Sequence, residues 1–233
     1  MSKKTLPSVV VLGMTATGLS VARSLGRKGI KVYGVDCSGK QPGMYSRYVA
    51  PILVPNPMED EAGFVESLVT LGKQIGAQSA LFCASDESVG AVSRNRDILS
   101  KYYIFNIPSD KTVEDFLDKR RSYAIAQDSG LDCPANHVIN DINELESIAG
   151  AVKFPCAIKP AVSHLWRARF GGKKLIPANS REELLEIAEK TIGDYPQLMI
   201  QELIPGGDDQ IYLFYAYYDK KGDLTAFSVL RKL

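Results

Sequence analysis

The sequence predicts an α/β protein built in series: an open sheet of parallel strands, then a smaller α+β lobe, then the opening strands of a further, incomplete lobe. Three observations predict it. Short apolar runs alternate with amphipathic helical stretches over roughly the first 108 residues. After Pro108-Ser109-Asp110 the order becomes strand, helix, strand, strand, helix, strand. From about residue 204 the pattern changes again, to two strands rich in tyrosine and phenylalanine.

Val9-Val10-Val11-Leu12 is a continuous apolar run suited to a strand buried on both faces. Gly13 follows it, and then a helix whose Leu19, Ala22 and Leu25 recur at helical spacing until Gly29. Lys31 to Asp36 is the next strand, so the opening is a βαβ unit, the crossover that parallel strands require. A proline-rich stretch from Pro51 to Pro57 leads to a helix carrying Phe64, Val65, Leu68 and Leu71. Strand Ala80–Cys83, a helix from about Glu87 to Ser100 and strand Tyr103–Phe105 complete the first domain, placed at residues 1–108.

Helical residues up to about Ser129, ended by Gly130, form a linking region over 109–134. In the second lobe, 135–203, the strands are Asn136–Ile139, Cys156–Lys159, Lys174–Ile176 and Leu198–Gln201. Asp141 with Glu144, and Ser180 with Glu183, have the spacing of capping boxes that open its two helices. This succession is the split βαβ arrangement, small enough for one mobile lobe. Residues 204–233 read as a hairpin, Ile211–Tyr218 and Leu224–Leu230, around Asp219-Lys220-Lys221-Gly222-Asp223. A two-stranded hairpin is marginal alone, so a missing partner, and hence a truncated chain, is expected.

Composition narrows the function. With 45% hydrophobic and 24% charged residues and a net charge of +1, the chain resembles ordinary soluble domains and gives no electrostatic reason to expect nucleic acid or a membrane surface. Met1 to Ser8 is a polar tail without the character of a signal peptide. Cys37, Cys83, Cys133 and Cys156 form no C-x-x-C pair and read as reduced thiols of a cytoplasmic protein. His137 and His164 are too few and too scattered for zinc.

The loop Gly13-Met14-Thr15-Ala16-Thr17-Gly18, with Asp36 closing the next strand, invites a dinucleotide reading. Thr15, however, stands where the middle glycine would admit a pyrophosphate. Two readings remain open: a smaller anion at the helix N-terminus, or glycines that serve only a tight turn and close packing. NAD binding ranks below both.

Three features further along agree with one another. Asp118-Lys119-Arg120 lies partway into a helix, where Lys119 alone would read as a solvated lysine. Phe154 to Pro160 is an apolar strand that ends in Lys159, a charge costly to bury without an anionic partner. Gln201-Glu202-Leu203-Ile204-Pro205-Gly206-Gly207-Asp208-Asp209 then presents backbone groups, flanked by apolar residues, that suit an adenine edge.

In this order and spacing, an α/β domain, a D-K helix, a strand ending K-P, a glycine-containing loop and an E-L-I-P-G hinge resemble the ATP-grasp superfamily. Within it the chain is similar to carbamoyl-phosphate-synthase-like and D-aspartate-ligase-like members, which share an opening like Gly13 to Gly26. The resemblance implies a pre-ATP-grasp domain followed by a lid and the beginning of the large ATP-grasp subdomain. It implies that Lys119 and Lys159 contact ATP phosphates, that Glu202, Leu203 and Ile204 form the adenine hinge, and that Asp209, in preference to Asp208, binds the ribose. The loop over the phosphates would contain Trp166, Arg167, Arg169, Gly171, Gly172 and Lys173, with fewer glycines than is usual. An ordinary surface hairpin with Trp166 packed on the lobe is the competing reading, and His164 reads as a loop residue.

The implied activity is an ATP-dependent carboxylate–amine, or carboxylate–thiol, ligase acting through an acyl phosphate. ATP and Mg2+ are the expected cofactors, with the magnesium ligands beyond residue 233, no metal site within the chain and no catalytic residue assigned. Without them the chain alone is expected to be inactive. The acceptor would bind at the first sheet, near Gly13, Thr15, Gly18, Ser85, Asp86 and Glu87, although Ser85 or Asp86 equally reads as a helix cap. Small-molecule carboxylate and amine substrates are the expected partners, with a second copy in a homodimer, and neither nucleic acid nor a membrane. The competing functions are a non-catalytic nucleotide-binding module, a subunit of a split enzyme and, last, an NAD(P)-dependent oxidoreductase.

Overall fold

The residues of β1 (Val9–Leu12) are all buried, and they divide between two apolar clusters. Val10 and Leu12 join Phe64, Leu68, Leu71 and Leu81, while Val9 and Val11 join Met14, Ala22 and Val32. Successive side chains of a strand leave opposite faces, so four consecutive apolar residues suit a strand covered on both sides. The structure, a computed structural model, describes residues 6–160, 175–194 and 197–233. The chain divides into two compact units, 1–117 and 118–233.

In the first unit β1 is followed by α1 (Ala16–Gly26), β2 (Val32–Asp36), a 3-10 turn (Pro42–Tyr45), β3 (Val49–Leu53) and α2 (Glu61–Ile75). Then come β4 (Ser79–Cys83), α3 (Asp86–Arg94), α4 (Arg96–Leu99), β5 (Tyr103–Ile104) and α5 (Asp110–Leu117). The strand order is β3-β2-β1-β4-β5, and every pair is parallel. The chain steps outward from β1 to β2 and β3, then returns past β1 to β4. The order therefore reverses between β1 and β4, and their carboxyl ends frame the crevice where open sheets take ligands.

Two local readings need correction. The proline-rich connection contains β3, whose Pro51 is in register with Gly34 of β2. β3 is an edge strand, where a residue without an N–H is tolerated. The expected single helices are also broken, at Asn95 between α3 and α4 and at Asp118 after α5. Behind the sheet, the buried Tyr103 hydroxyl donates to the Leu68 carbonyl at 2.6 Å and so ties β5 to α2.

The second unit opens with α6 (Lys119–Asp128) and continues as β6 (Asn136–Ile139), α7 (Ile142–Ile148), β7 (Cys156–Pro160), β8 (Ile176–Ala178), α8 (Arg181–Thr191) and β9 (Leu198–Glu202). The sheet order is β6-β9-β7-β8, antiparallel throughout. Asp141 caps α7 by accepting from the Glu144 N–H at 2.9 Å, and Ser180 caps α8 by accepting from the Glu183 N–H at 3.2 Å. Both glutamates reach back one residue beyond the cap, to the N–H groups of Asn140 and Asn179. Cys156, Ile158, Leu198 and Ile200 share a core with Leu145 of α7 and with Leu184 and Ala188 of α8. The alternate residues, Ala157, Lys159, Met199 and Gln201, consequently share the opposite face of the sheet.

β10 (Tyr212–Tyr218) and β11 (Leu224–Arg231) pair antiparallel, and every residue of both is exposed. Phe214, Phe227 and Val229 lie on one face of the ribbon, and Leu213, Tyr215, Tyr217 and Leu230 on the other.

Leu184 is fully buried in the second core. Leu184→Ala should destabilise the protein by about 2–5 kcal/mol, the usual cost of such a cavity, seen as a lower urea midpoint at unchanged slope.

Candidate functional site

The helix break at Asp118 changes the setting of Lys119. Asp118 caps α6, its Oδ1 accepting the Arg120 N–H at 2.9 Å, so Lys119 is the first residue of a helix and not partway along one. The same carboxylate grips the Arg120 guanidinium at 3.0 and 2.5 Å. That guanidinium also donates to the Gln197 side chain, whose amide donates to Asn140 Oδ1 at 2.8 Å. This chain of bonds fixes the start of α6 against the second sheet. The Arg120 hydrogen bonds hold the Asp118 carboxyl well below its ordinary range, at about 2. A helix start carries partial positive charge, and here it also carries the Lys119 ammonium.

Lys159 stands on the sheet face away from α7 and α8, opposite Met199 in register and diagonal to Gln201. Its ammonium donates to Gln201 Oε1 and lies 5.3 Å from the centroid of the Tyr123 ring. Gln201 Nε2 in turn donates to the Tyr123 hydroxyl at 2.9 Å. Burial, and next the charge of Lys119, push the Lys159 ammonium below the usual lysine range. Tyr123, four residues after Lys119 on α6, flanks Lys159 and so brings the first turns of α6 to this face of the sheet, where an anion would relieve the cost of a half-buried ammonium.

The hinge begins at Glu202, the last residue of β9. The Glu202 N–H donates to the Ala135 carbonyl at 2.8 Å, and the Glu202 carboxylate accepts from the Ala135 N–H at 3.2 Å and lies 4.0 Å from Lys153 Nζ. The Leu203 N–H donates to the Pro155 carbonyl at 2.9 Å. Glu202 and Leu203 are therefore tied to their own sheet, while Ile204 is exposed. Asp208 pairs with Lys232 at 2.5 Å, and no ion pair among the described residues involves Asp209. Trp166, Arg167, Arg169, Gly171, Gly172 and Lys173, with His164, lie outside the described residues.

In the first unit, Gly13 adopts φ +84°, and a Cβ on Gly18 would stand 2.0 Å from the Gly13 carbonyl oxygen. Those two glycines let the chain turn tightly into α1. A Cβ on Gly13 would also stand 3.2 Å from Ser85 Cβ, so the ends of β1 and β4 nearly touch. Asp36 is buried and accepts the N–H groups of Met14 at 2.7 Å and Ser38 at 2.8 Å. Its carboxylate closes the loop, which removes the acid that a dinucleotide ribose would use. Thr15 precedes α1 without a capping side-chain bond, and Ser85 caps α3 by accepting from the Ser88 N–H at 3.3 Å. Asp86 and Glu87 are exposed in the first turn of α3.

Sequence reasoning overlooked Tyr123 and Gln201. The signals were present: Tyr123 is four residues after Lys119, hence on the same helix face, and Gln201 is the same-face diagonal neighbour of Lys159 once β7 and β9 pair. Cysteine chemistry is unhelpful here, because burial pushes the Cys83 thiol up to about 12 and the Cys156 thiol up to about 11. Among the described residues no group of three His, Cys, Asp or Glu side chains could hold a metal ion, and no helix is long and apolar enough to cross a membrane.

No protein-family model matches the chain. It is 24% identical over 227 residues to D-aspartate ligase of Enterococcus faecium, a match that covers 91% of this chain and 53% of that protein. It is 27% identical over 135 residues to the carbamoyl phosphate synthase large chain of Pseudomonas putida, covering 57% of this chain and 12% of that one. Among solved structures, the L-amino acid ligase from Bacillus licheniformis matches with a TM-score of 0.69 at 14% identity, over 99% of this chain and 52% of that chain. The ADP complex of N5-carboxyaminoimidazole synthetase from Staphylococcus aureus matches with a TM-score of 0.70 at 15% identity, over 97% and 55%. The chain thus spans about half the length of the D-aspartate ligase it matches. By relatives and by fold, the resemblance to the ATP-grasp ligases is borne out, and the proteins matched are enzymes.

The Asp118 carboxylate should support the α6 start only while ionised. Its depressed pKa means a contribution present above the ordinary value of 3.8 and lost as pH falls toward about 2. Asp118→Asn should therefore be less stable than the parent at pH 6, and urea titrations of the two proteins should converge over that acid window.

Proposed function

We propose that this chain is the front half of an ATP-dependent ligase that joins a small-molecule carboxylate to an amine. The observation that carries the reading is Lys159 on one sheet face beside Tyr123 of α6, the helix that Lys119 opens, next to a strand that runs directly into the 202–204 hinge. In this reading the ammonium groups take the phosphates of ATP as point charges on flexible stems. The Ile204 N–H and the Glu202 carbonyl take the adenine edge, since the Leu203 N–H is already bonded to Pro155. Asp209 takes the ribose, since Asp208 is paired with Lys232. The β6–β9 lobe acts as the lid.

ATP phosphorylates the carboxylate, and an amine displaces phosphate from the resulting acyl phosphate. Divalent cations supply further neutralisation of the transferring phosphoryl group, and their ligands are assigned to the part of the relatives that this chain does not span. The same missing half covers the β10–β11 ribbon, which exposes apolar residues on both faces. The carboxylate acceptor is placed in the β1/β4 crevice, at Gly13, Thr15, Gly18, Ser85 and Asp86.

Binding is the test. Calorimetric titration of the chain with ATP should give saturable binding, NADH should give none, and Lys159→Ala should weaken ATP by about tenfold or more, as expected for a lost charged hydrogen bond. Saturation by NADH with no response to ATP would overturn the ligase reading.

A further inference from the structure

Lys159 does not stand at the site by itself. A lysine ammonium has donors only, so the Gln201 oxygen must face it and the Gln201 NH2 must face away. That NH2 donates to the Tyr123 hydroxyl, which therefore accepts from Gln201 and keeps its own proton for another acceptor. The Tyr123 ring meanwhile flanks the ammonium, 5.3 Å from its centroid. The direction of every bond in this network is fixed by chemistry, and it leaves two groups with protons still to donate, the ammonium and the phenolic O–H. Lys119 lies one helical turn before Tyr123 on the same face of α6. Lys159 brings formal positive charge and Tyr123 an O–H to one place, a pairing that suits an anion.

We infer that Gln201 and Tyr123 are positioning residues that hold the Lys159 ammonium and the Tyr123 hydroxyl on one phosphate group of the nucleotide. The inference rests on the nucleotide reading for the identity of that anion. Gln201 acts through the other two: its neutral amide orients Lys159 without neutralising it, which a carboxylate at the same position would do. Tyr123 supports the same orientation from the other side, because its hydroxyl holds the Gln201 amide by the end that faces away from Lys159. The assignment accounts for a neutral acceptor beside a half-buried cation, where an acid would form an ordinary ion pair.

The test reads Lys159 directly. The intact 233-residue chain is pulse-labelled with acetic anhydride across pH, and acetylation at Lys159 and at the exposed Lys220 is quantified by mass spectrometry. Parent, Tyr123→Phe, Gln201→Leu and Gln201→Glu proteins are compared. Gln201→Glu should move the Lys159 titration to higher pH, and Gln201→Leu should move it lower. Tyr123→Phe should fall between the parent and Gln201→Leu, with Lys220 unchanged in all four. Tyr123→Phe should also weaken ATP by about two- to tenfold while leaving adenosine unaffected, the size of one hydrogen bond. A Lys159 titration that is the same in all four proteins overturns the inference, and Gln201→Glu, nearly isosteric with the parent, still allows that outcome to be read if Gln201→Leu fails to fold. The nucleotide reading is judged apart from this: if ATP does not protect Lys159 in the parent protein while the variant shifts appear, that reading falls and the positioning of Lys159 stands.

Discussion

Keeping the half-buried Lys159 ammonium charged, beside the neutral amide of Gln201 and the ring of Tyr123, is the constraint on which the site in the second unit depends. Lys159 loses solvent at the end of an apolar strand and feels Lys119 besides, and both effects disfavour its charge. The features around it limit that cost without cancelling the positive potential. The acceptor on Gln201 is neutral, the contact with Tyr123 is with a ring face, and two carboxylates of the second unit have other partners. Asp118 is bound to Arg120, and Glu202 to Ala135 with Lys153 beyond. Asp118 and Glu202 thus fix backbone and guanidinium groups, and Lys159 retains a charge that an anion can use.

The same economy governs the first unit. Its glycine loop has the outline of a nucleotide fingerprint, yet Asp36 is consumed in holding Met14 and Ser38. A carboxylate that accepts two backbone N–H groups in a buried setting is a structural bracket. It fixes the turn that brings Gly13 against Ser85, and that close approach shapes the crevice between β1 and β4. The loop is therefore important to the first unit for its geometry, and the likeness of its pattern to a dinucleotide site is incidental.

Much of this was legible in the sequence, for physical reasons that differ by element. β1, β7 and β9 are doubly covered or core-facing strands, and continuous apolar runs disclose them. The α7 and α8 starts were legible because Asp141 and Ser180 are caps with local partners. β3 was passed over because Pro51 argues against a strand unless the strand is known to lie at an edge, and edge position is a property of the whole sheet. The break at Asp118 was hidden because a helix cap and a mid-helix aspartate look alike in a run of helix formers. Tyr123 and Gln201 became visible only with the β7–β9 register, since a one-residue slip would turn Gln201 into the core.

The ribbon at 212–231 follows the same logic of covered faces. β1 has apolar residues on both sides and is buried on both. β10 and β11 have apolar residues on both sides and are exposed on both. An antiparallel pair meant to meet water on one face would alternate apolar with polar residues, and Phe214, Tyr215, Phe227, Val229 and Leu230 do not alternate in that way. Exposed apolar surface on this scale is unusual for a single folded unit, and a hairpin gains little from its own cross-strand pairs.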